Sequence, residues 1–197
     1  MIGRPTITKF LPKVLSSIIR HLKAFGTVPS TTEEWLSIEE RFRKRWDHPH
    51  VLGAIDGKHI LMMKPHNSGA VYFNYKKTFS ISLLAIVSGD YMFRYYDIGR
   101  PGRMSDAGIW NMTAFRQQLE SPRNPLNIPQ PAVLMDKDDN REPNGVDVPY
   151  YLVGDDAFGL GTHMMKPYVP CRENSLTESQ TIFNYRYLFL LLTSQNL

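Results

Sequence analysis

Apolar positions recur at helical spacing near the start of the chain. Phe10, Leu11, Val14, Leu15, Ile18, Ile19 and Leu22 lie three or four residues apart, which puts them on one face of a helix over residues 8–22. Pro12 falls early enough for a first turn, where a missing N–H is tolerated, and Lys13, Arg20 and Lys23 make the outer face basic. A second helix follows Pro29-Ser-Thr. Thr31 and Glu34 have the spacing of a capping box, Trp35, Ile38 and Phe42 share a face, and the helix is expected to stop before Asp47-His-Pro49.

The period then changes. Residues 50–63 are too apolar for a surface loop and predict a buried strand, with Asp56-Gly57 as the place for a bend. Residues 79–88 and 91–98 are β-rich and separated by Ser88-Gly-Asp90, the pattern of an antiparallel hairpin. After a Gly/Pro loop at 100–105, Ile109, Met112, Phe115 and Leu119 mark one helix over 106–120, capped by Ser105 or Asp106. Residues 120–149 have no apolar period and predict a long, partly disordered loop. Residues 150–155 predict a short buried strand, followed by a loop and a short helix around 162–166. The order of elements describes a mixed α/β sheet covered by helices.

With 42% apolar and 12% aromatic residues, the 197-residue chain reads as one folded domain rather than two. Its net charge of +4 permits a nucleic-acid partner without demanding one. Cys171 is the only cysteine, which excludes an intramolecular disulfide and a cysteine-based zinc site. A reducing setting, nucleus or cytoplasm, is expected. The N-terminus lacks the pattern of a signal peptide. The strongest apolar run, residues 187–192, is far shorter than the roughly 20 residues that span a bilayer.

Three carboxylates bear on chemistry. Asp56 and Asp155 follow apolar segments, where a charge costs several kcal/mol unless something pairs with it. On neighbouring strands they would repel each other, and a divalent cation reverses the sign of that interaction. Magnesium or manganese suits all-oxygen ligands, and Asp106 at a helix start is placed to add a third. Taken singly, each has a plainer reading: Asp56 as a turn residue, Asp106 as an N-cap, Asp155 beside Asp156 as a surface pair.

Several segments together carry a resemblance. They are His50-Val-Leu-Gly-Ala-Ile-Asp-Gly-Lys-His-Ile, Phe73-Asn-Tyr-Lys-Lys-Thr-Phe-Ser-Ile, Gly99-Arg-Pro-Gly-Arg-Met-Ser-Asp-Ala-Gly, Leu152-Val-Gly-Asp-Asp-Ala-Phe and Met164-Met-Lys-Pro-Tyr, preceded by Thr31-Thr-Glu-Glu-Trp. In this order they resemble the nuclease domain of PIF/Harbinger-type DDE transposases, a DDE superfamily endonuclease domain, over roughly residues 29–186. The resemblance implies an RNase H-like mixed sheet flanked by helices, with a helical lead-in at 1–48, a nuclease core at 49–186 and a divergent apolar tail at 187–197. It implies Mg²⁺ or Mn²⁺ bound by Asp56, Asp106 and Asp155 as the catalytic acids, and two-metal cleavage of DNA. As in the family, a separate Myb-like DNA-binding protein is an expected partner.

The family's last element is a basic helix with a metal-binding Glu, after a Phe-Asn-Tyr-Arg motif. That motif is present as Phe183-Asn-Tyr-Arg186, but an apolar stretch without an acid follows, and Gln195 stands about where the Glu belongs. A chain cut short at its C-terminus and impaired in cleavage is therefore expected. His59 reads either as a packing residue or as one that orients Asp56 or touches DNA. Tyr72, Phe73, Tyr75, Lys76 and Lys77 suit a phosphate-tracking edge and ordinary sheet packing equally well.

Two other functions fit less of the chain. A catalytically inactive DNA- or protein-binding derivative would keep the fold without the chemistry. A hydrolase using Asp56 and Asp155 as an acid/base pair would need a Trp-lined cleft, whereas Trp35, Trp46 and Trp110 read as helix faces or ends.

Overall fold

The computed structural model describes residues 3–22, 27–141, 145–170 and 175–195. Cys171 lies outside them. The chain runs through α1 (Arg4–Leu22), α2 (Thr32–Trp46), β1 (Val51–Leu61), β2 (Ser80–Val87), β3 (Phe93–Pro101), α3 (Asp106–Asn111), α4 (Ala114–Leu119), β4 (Ala132–Val133), β5 (Asp147–Val148), β6 (Tyr151–Val153), β7 (Met164–Met165) and α5 (Glu178–Gln195).

Five strands form one sheet in the order β3-β2-β1-β6-β7. β2 is antiparallel to both neighbours, while β6 runs parallel to β1 and β7 parallel to β6. β1 is the central strand, and residues 51–55 are buried on both faces, as expected where helices cover a sheet on both sides. The bend considered at Asp56-Gly57 does not interrupt the ladder: β1 pairs with β2 in unbroken register from Ala54 to Leu61.

α2 forms and packs as its sequence pattern predicts. Thr31 Oγ1 accepts the Glu34 N–H at 3.3 Å, and the Glu34 carboxylate accepts the Ser30 N–H at 2.6 Å, one residue before the position of an ideal capping box. Trp35, Ile38 and Phe42 enter the core, and Trp35 satisfies its indole N–H on the Leu126 carbonyl at 2.7 Å. Asp47 ends the helix in the left-handed region, at φ 52°. α1 is amphipathic as read and begins at Arg4, before the expected residue 8, but Ile7, Phe10, Leu11, Leu15, Ile18 and Ile19 are all exposed.

Four expectations are corrected. The single helix over 106–120 is two helices, because Thr113 takes an extended conformation, accepts the Arg116 N–H and donates to the Trp110 carbonyl. A side chain that offers a cap competes with helix continuation, and Met112, a predicted core position, ends exposed. The expected helix near 162–166 is instead β7, with Met164 and Met165 paired to Leu152 and Val153 on the open edge of β6.

The long loop holds the small β4-β5 sheet, and side-chain bonds organise its turns: Asn124 bridges to Ile128, and the Asp136 carboxylate accepts from Asp138 and Asn140. Such bonds leave no apolar period to read. The expected apolar tail belongs to α5, which runs without a break through Arg186 and Tyr187 and buries Tyr187, Leu190 and Leu191 against the core. Leu188 stays exposed.

Candidate functional site

The pairing of Ala54 with Val153 is the last between β1 and β6. Asp56 and Asp155 each stand two residues beyond that pair, so both acids lie at the end where the two strands part. Asp155 heads the turn that follows β6, its carboxylate accepting the Ala157 N–H at 3.0 Å and its carbonyl the Phe158 N–H at 3.2 Å. Asp56 lies within β1, not at its end, and accepts the N–H of Gly57 at 2.7 Å.

Asp106 is the first residue of α3. Ser105, not Asp106, caps that helix, accepting the Gly108 N–H, so the Asp106 carboxylate is left for other contacts. It lies directly over Gly57: a Cβ added there would fall 2.1 Å from Asp106 Oδ1 and 2.2 Å from its Cγ. Strand alternation puts Gly57 and His59 on one face of β1 and Asp56 on the other. Any side chain at 57 would fill the space that Asp106 occupies, and the glycine is what lets the third acid approach the strand.

The three charges act on one another. Burial pushes the Asp56 carboxyl above its ordinary value against the opposing Gly57 hydrogen bond, and the charges of Asp155 and Asp106 push it further. Burial and then Asp155 raise Asp106, while His59 lowers it. The donors are hard carboxylate oxygens, the kind that Mg²⁺ and Mn²⁺ take. Among the described residues, however, no three His, Cys, Asp or Glu side chains are gathered closely enough to hold a metal ion. The acids influence one another as like charges, with Asp106 seated over Gly57.

The Phe183-Asn-Tyr-Arg186 segment and the residue after it hold this corner together. Asn184 exchanges two hydrogen bonds of 2.8 Å with the backbone of Tyr168, and Arg186 pairs with Asp47 at 2.9 Å. The buried Tyr187 hydroxyl accepts the Gly154 N–H at 2.8 Å and faces the Gly154 and Met165 carbonyls as a donor. It thus pins α5 to the residue immediately before Asp155. This role was missed in the sequence, although Phe183, Tyr187, Leu190 and Leu191 have the spacing of a buried helical stripe. Tyr187→Phe removes the hydroxyl's bonds to Gly154 and Met165 but leaves the Gly154 N–H its bond to the Met165 carbonyl at 3.1 Å, so it is expected to lower unfolding stability by about 0.5–1.5 kcal/mol in urea melts. A loss within error would show that water replaces the hydroxyl.

Comparisons with known proteins agree with this geometry. A family model described as DDE superfamily endonuclease matches residues 55–189, and the chain belongs to that family. Its mixed, helix-flanked sheet is the RNase H-like α/β fold expected of it. The chain is similar to the Arabidopsis thaliana "Protein ALP1-like", at 29% identity over 183 residues, which are 91% of this chain and 40% of that protein. The chain therefore spans about two fifths of the relative's length. No solved structure matches it. No helix among the described residues is long and apolar enough to cross a membrane.

Proposed function

We propose that the chain is the nuclease core of a protein descended from a PIF/Harbinger-type DDE transposase, acting on DNA in the nucleus or cytoplasm. Asp56, Asp106 and Asp155 are its metal-binding and catalytic acids, with Mg²⁺ or Mn²⁺ as the ion. The observation that supports this most is the seating of Asp106 over Gly57, with the charges of Asp155 and Asp106 raising Asp56 and that of Asp155 raising Asp106, on the fold of a DDE endonuclease. The bound cation supplies an activated water and charge neutralisation at the phosphate. The chain's own residues bind the ion, keep Asp106 over the strand and fix the Asp155 turn through Tyr187.

Cleavage by these 197 residues is expected to be feeble. From Ser179 to Leu197 there is no acid, and the neutral amide of Gln195 gives a second ion no negative charge. A Myb-like DNA-binding protein is the partner that would direct the core to its target. The alternative is a non-catalytic DNA- or protein-binding derivative of the same fold.

Plasmid nicking by the purified chain in Mn²⁺ tests these readings. Weak nicking abolished by Asp56→Ala is the expected result. Vigorous nicking, equally sensitive to Asp56→Ala, would show that no acid beyond Glu178 is needed. DNA binding without any nicking or metal response would establish the non-catalytic derivative.

A further inference from the structure

The segment between Gly57 and Phe79 contains Lys58, Lys64, Lys76 and Lys77 and no acidic residue. None of these lysines has an ion-pair partner among the described residues. Within it, Phe73 and Phe79 bridge as antiparallel neighbours, and residues 74–78 form a tight turn at the end of this small hairpin. Tyr75 lies on that turn and is 78% exposed, and the Lys76 ammonium is 5.5 Å from its ring centroid. Lys77 has a φ of 60°.

The turn is held from beneath. Asn74 is only 3% exposed, and its side-chain oxygen accepts both the N–H and the hydroxyl of Thr78 at 3.0 Å. Its amide nitrogen donates to Ser80 Oγ at 2.8 Å, and Ser80 Oγ lies 2.9 Å from His59 Nδ1. The His59 ring in turn meets Tyr75 edge-on, with centroids 5.5 Å apart. His59 is on the Gly57 face of β1, the face over which Asp106 lies. Hydrogen bonds of the buried Asn74 and Ser80 thus shape the turn that carries an exposed aromatic ring and two lysines, and His59 links that turn to the face of β1 over which Asp106 lies.

From this we propose that the 74–78 turn holds an unpaired nucleotide of the DNA strand next to the phosphate to be cut, Tyr75 stacking on the base and Lys76 and Lys77 contacting the backbone. The inference rests on the nuclease reading and adds the form of its substrate. A lone aromatic platform flanked by lysines matches the alternation of base faces and phosphates along a single strand. Base faces inside a duplex are covered by their neighbours, so a protruding ring can stack only where the strand is frayed, nicked or displaced. Anchoring by Asn74 and Ser80 means that the ring is ordered before DNA arrives, which lowers the entropy lost on binding.

Fluorescence titration of the full 197-residue chain, in chelator so that cleavage does not intervene, tests the proposal. The probes are a blunt duplex and the same duplex with a short single-stranded overhang carrying 2-aminopurine. The overhang is expected to bind about ten-fold tighter than the blunt duplex, with its fluorescence quenched by stacking. Tyr75→Ala should remove both the preference and the quenching, and Tyr75→Trp should keep them. Lys76→Ala with Lys77→Ala should weaken both DNAs alike and reduce the slope of log K on log salt by about 1–2.

Equal binding of both DNAs, or a preference that survives in a Tyr75→Ala protein of unchanged melting temperature, would overturn the proposal and leave the nuclease reading standing. Failure to bind any DNA would overturn the nuclease reading, and this inference with it.

Discussion

Millimolar Mn²⁺ is expected to raise the melting temperature of the parent chain and to leave Asp56→Ala and Asp155→Ala unmoved. A ligand that binds only the folded state at about 100 times its dissociation constant adds about 2.7 kcal/mol, roughly 5–10 °C for a domain of this size. The pH dependence has a definite sign. The folded-state carboxyls of Asp56 and Asp106 titrate above their ordinary value of 3.8. Stability from these groups is therefore fully present below pH 3.8 and is lost as the pH rises through the raised values. At neutral pH the folded chain bears the whole repulsion, and that repulsion is what the ion relieves.

Without metal, Asp56→Ala should consequently be at least as stable as the parent, and the benefit of metal to the parent should grow with pH. Gly57→Ala separates the site's geometry from its charge: all three acids remain, yet the new Cβ collides with Asp106. It should lose the metal response as Asp56→Ala does. Equal melting shifts in the parent and Asp56→Ala would mean that the ion binds elsewhere.

The contrast between Gly57 and Thr113 shows how far the pattern of residues could be read. The β1 run, the hairpin and the α2 face are dictated by burial, and burial leaves a periodic trace: the apolar run that begins at Val51, and Trp35, Ile38 and Phe42 on one helical face, all lie where that trace puts them. Thr113 breaks a helix although Ile109, Met112, Phe115 and Leu119 keep the period, because a cap is one hydrogen bond and has no period. Residues 120–149 were opaque for the same reason. The three acids were legible as types in suspicious places, and β1, which carries Asp56, and β6, which precedes Asp155, are parallel neighbours. That Asp106 needs Gly57 to have no side chain is a fact of close approach between residues 49 positions apart, and no local pattern encodes it. Tyr187 was hidden by its neighbours: a run of leucines after it suggested an apolar tail, whereas the hydroxyl finds its partners on Gly154 and Met165, far back in the chain.

The parent chain is expected to lose about 2 kcal/mol of stability between pH 6.5 and pH 4, and His48→Phe should abolish most of that loss. His48 follows the α2 cap and is 6% exposed, and its Nε2 has no hydrogen-bond partner among the described residues. Its ring lies edge-on to Phe183, Tyr187 and Tyr151, at centroid distances of 5.2, 6.0 and 6.3 Å. Burial, reinforced by the charge of Arg186 and opposed by Asp47, pushes its pKa from 6.5 down to about 4. Because the folded value is depressed, the stabilisation is present above pH 6.5 and is lost as the pH falls toward 4, where the unfolded chain binds a proton that the folded chain refuses. Asp56 and Asp106 push the other way, gaining stability as the pH falls, so the parent's net loss understates the His48 contribution. With phenylalanine at 48 the aromatic packing is kept and the proton site is gone. Urea unfolding at pH 7, 5.5 and 4 should then give a stability that is flat or rises toward acid. Parallel losses in the parent and His48→Phe would place the acid sensitivity elsewhere. Since Phe183 and Tyr187 share the α5 face that meets His48, a proton forced into this contact should also loosen Tyr187 from Gly154 and release the Asp155 turn. The metal response is therefore expected to disappear below the pH at which His48 titrates.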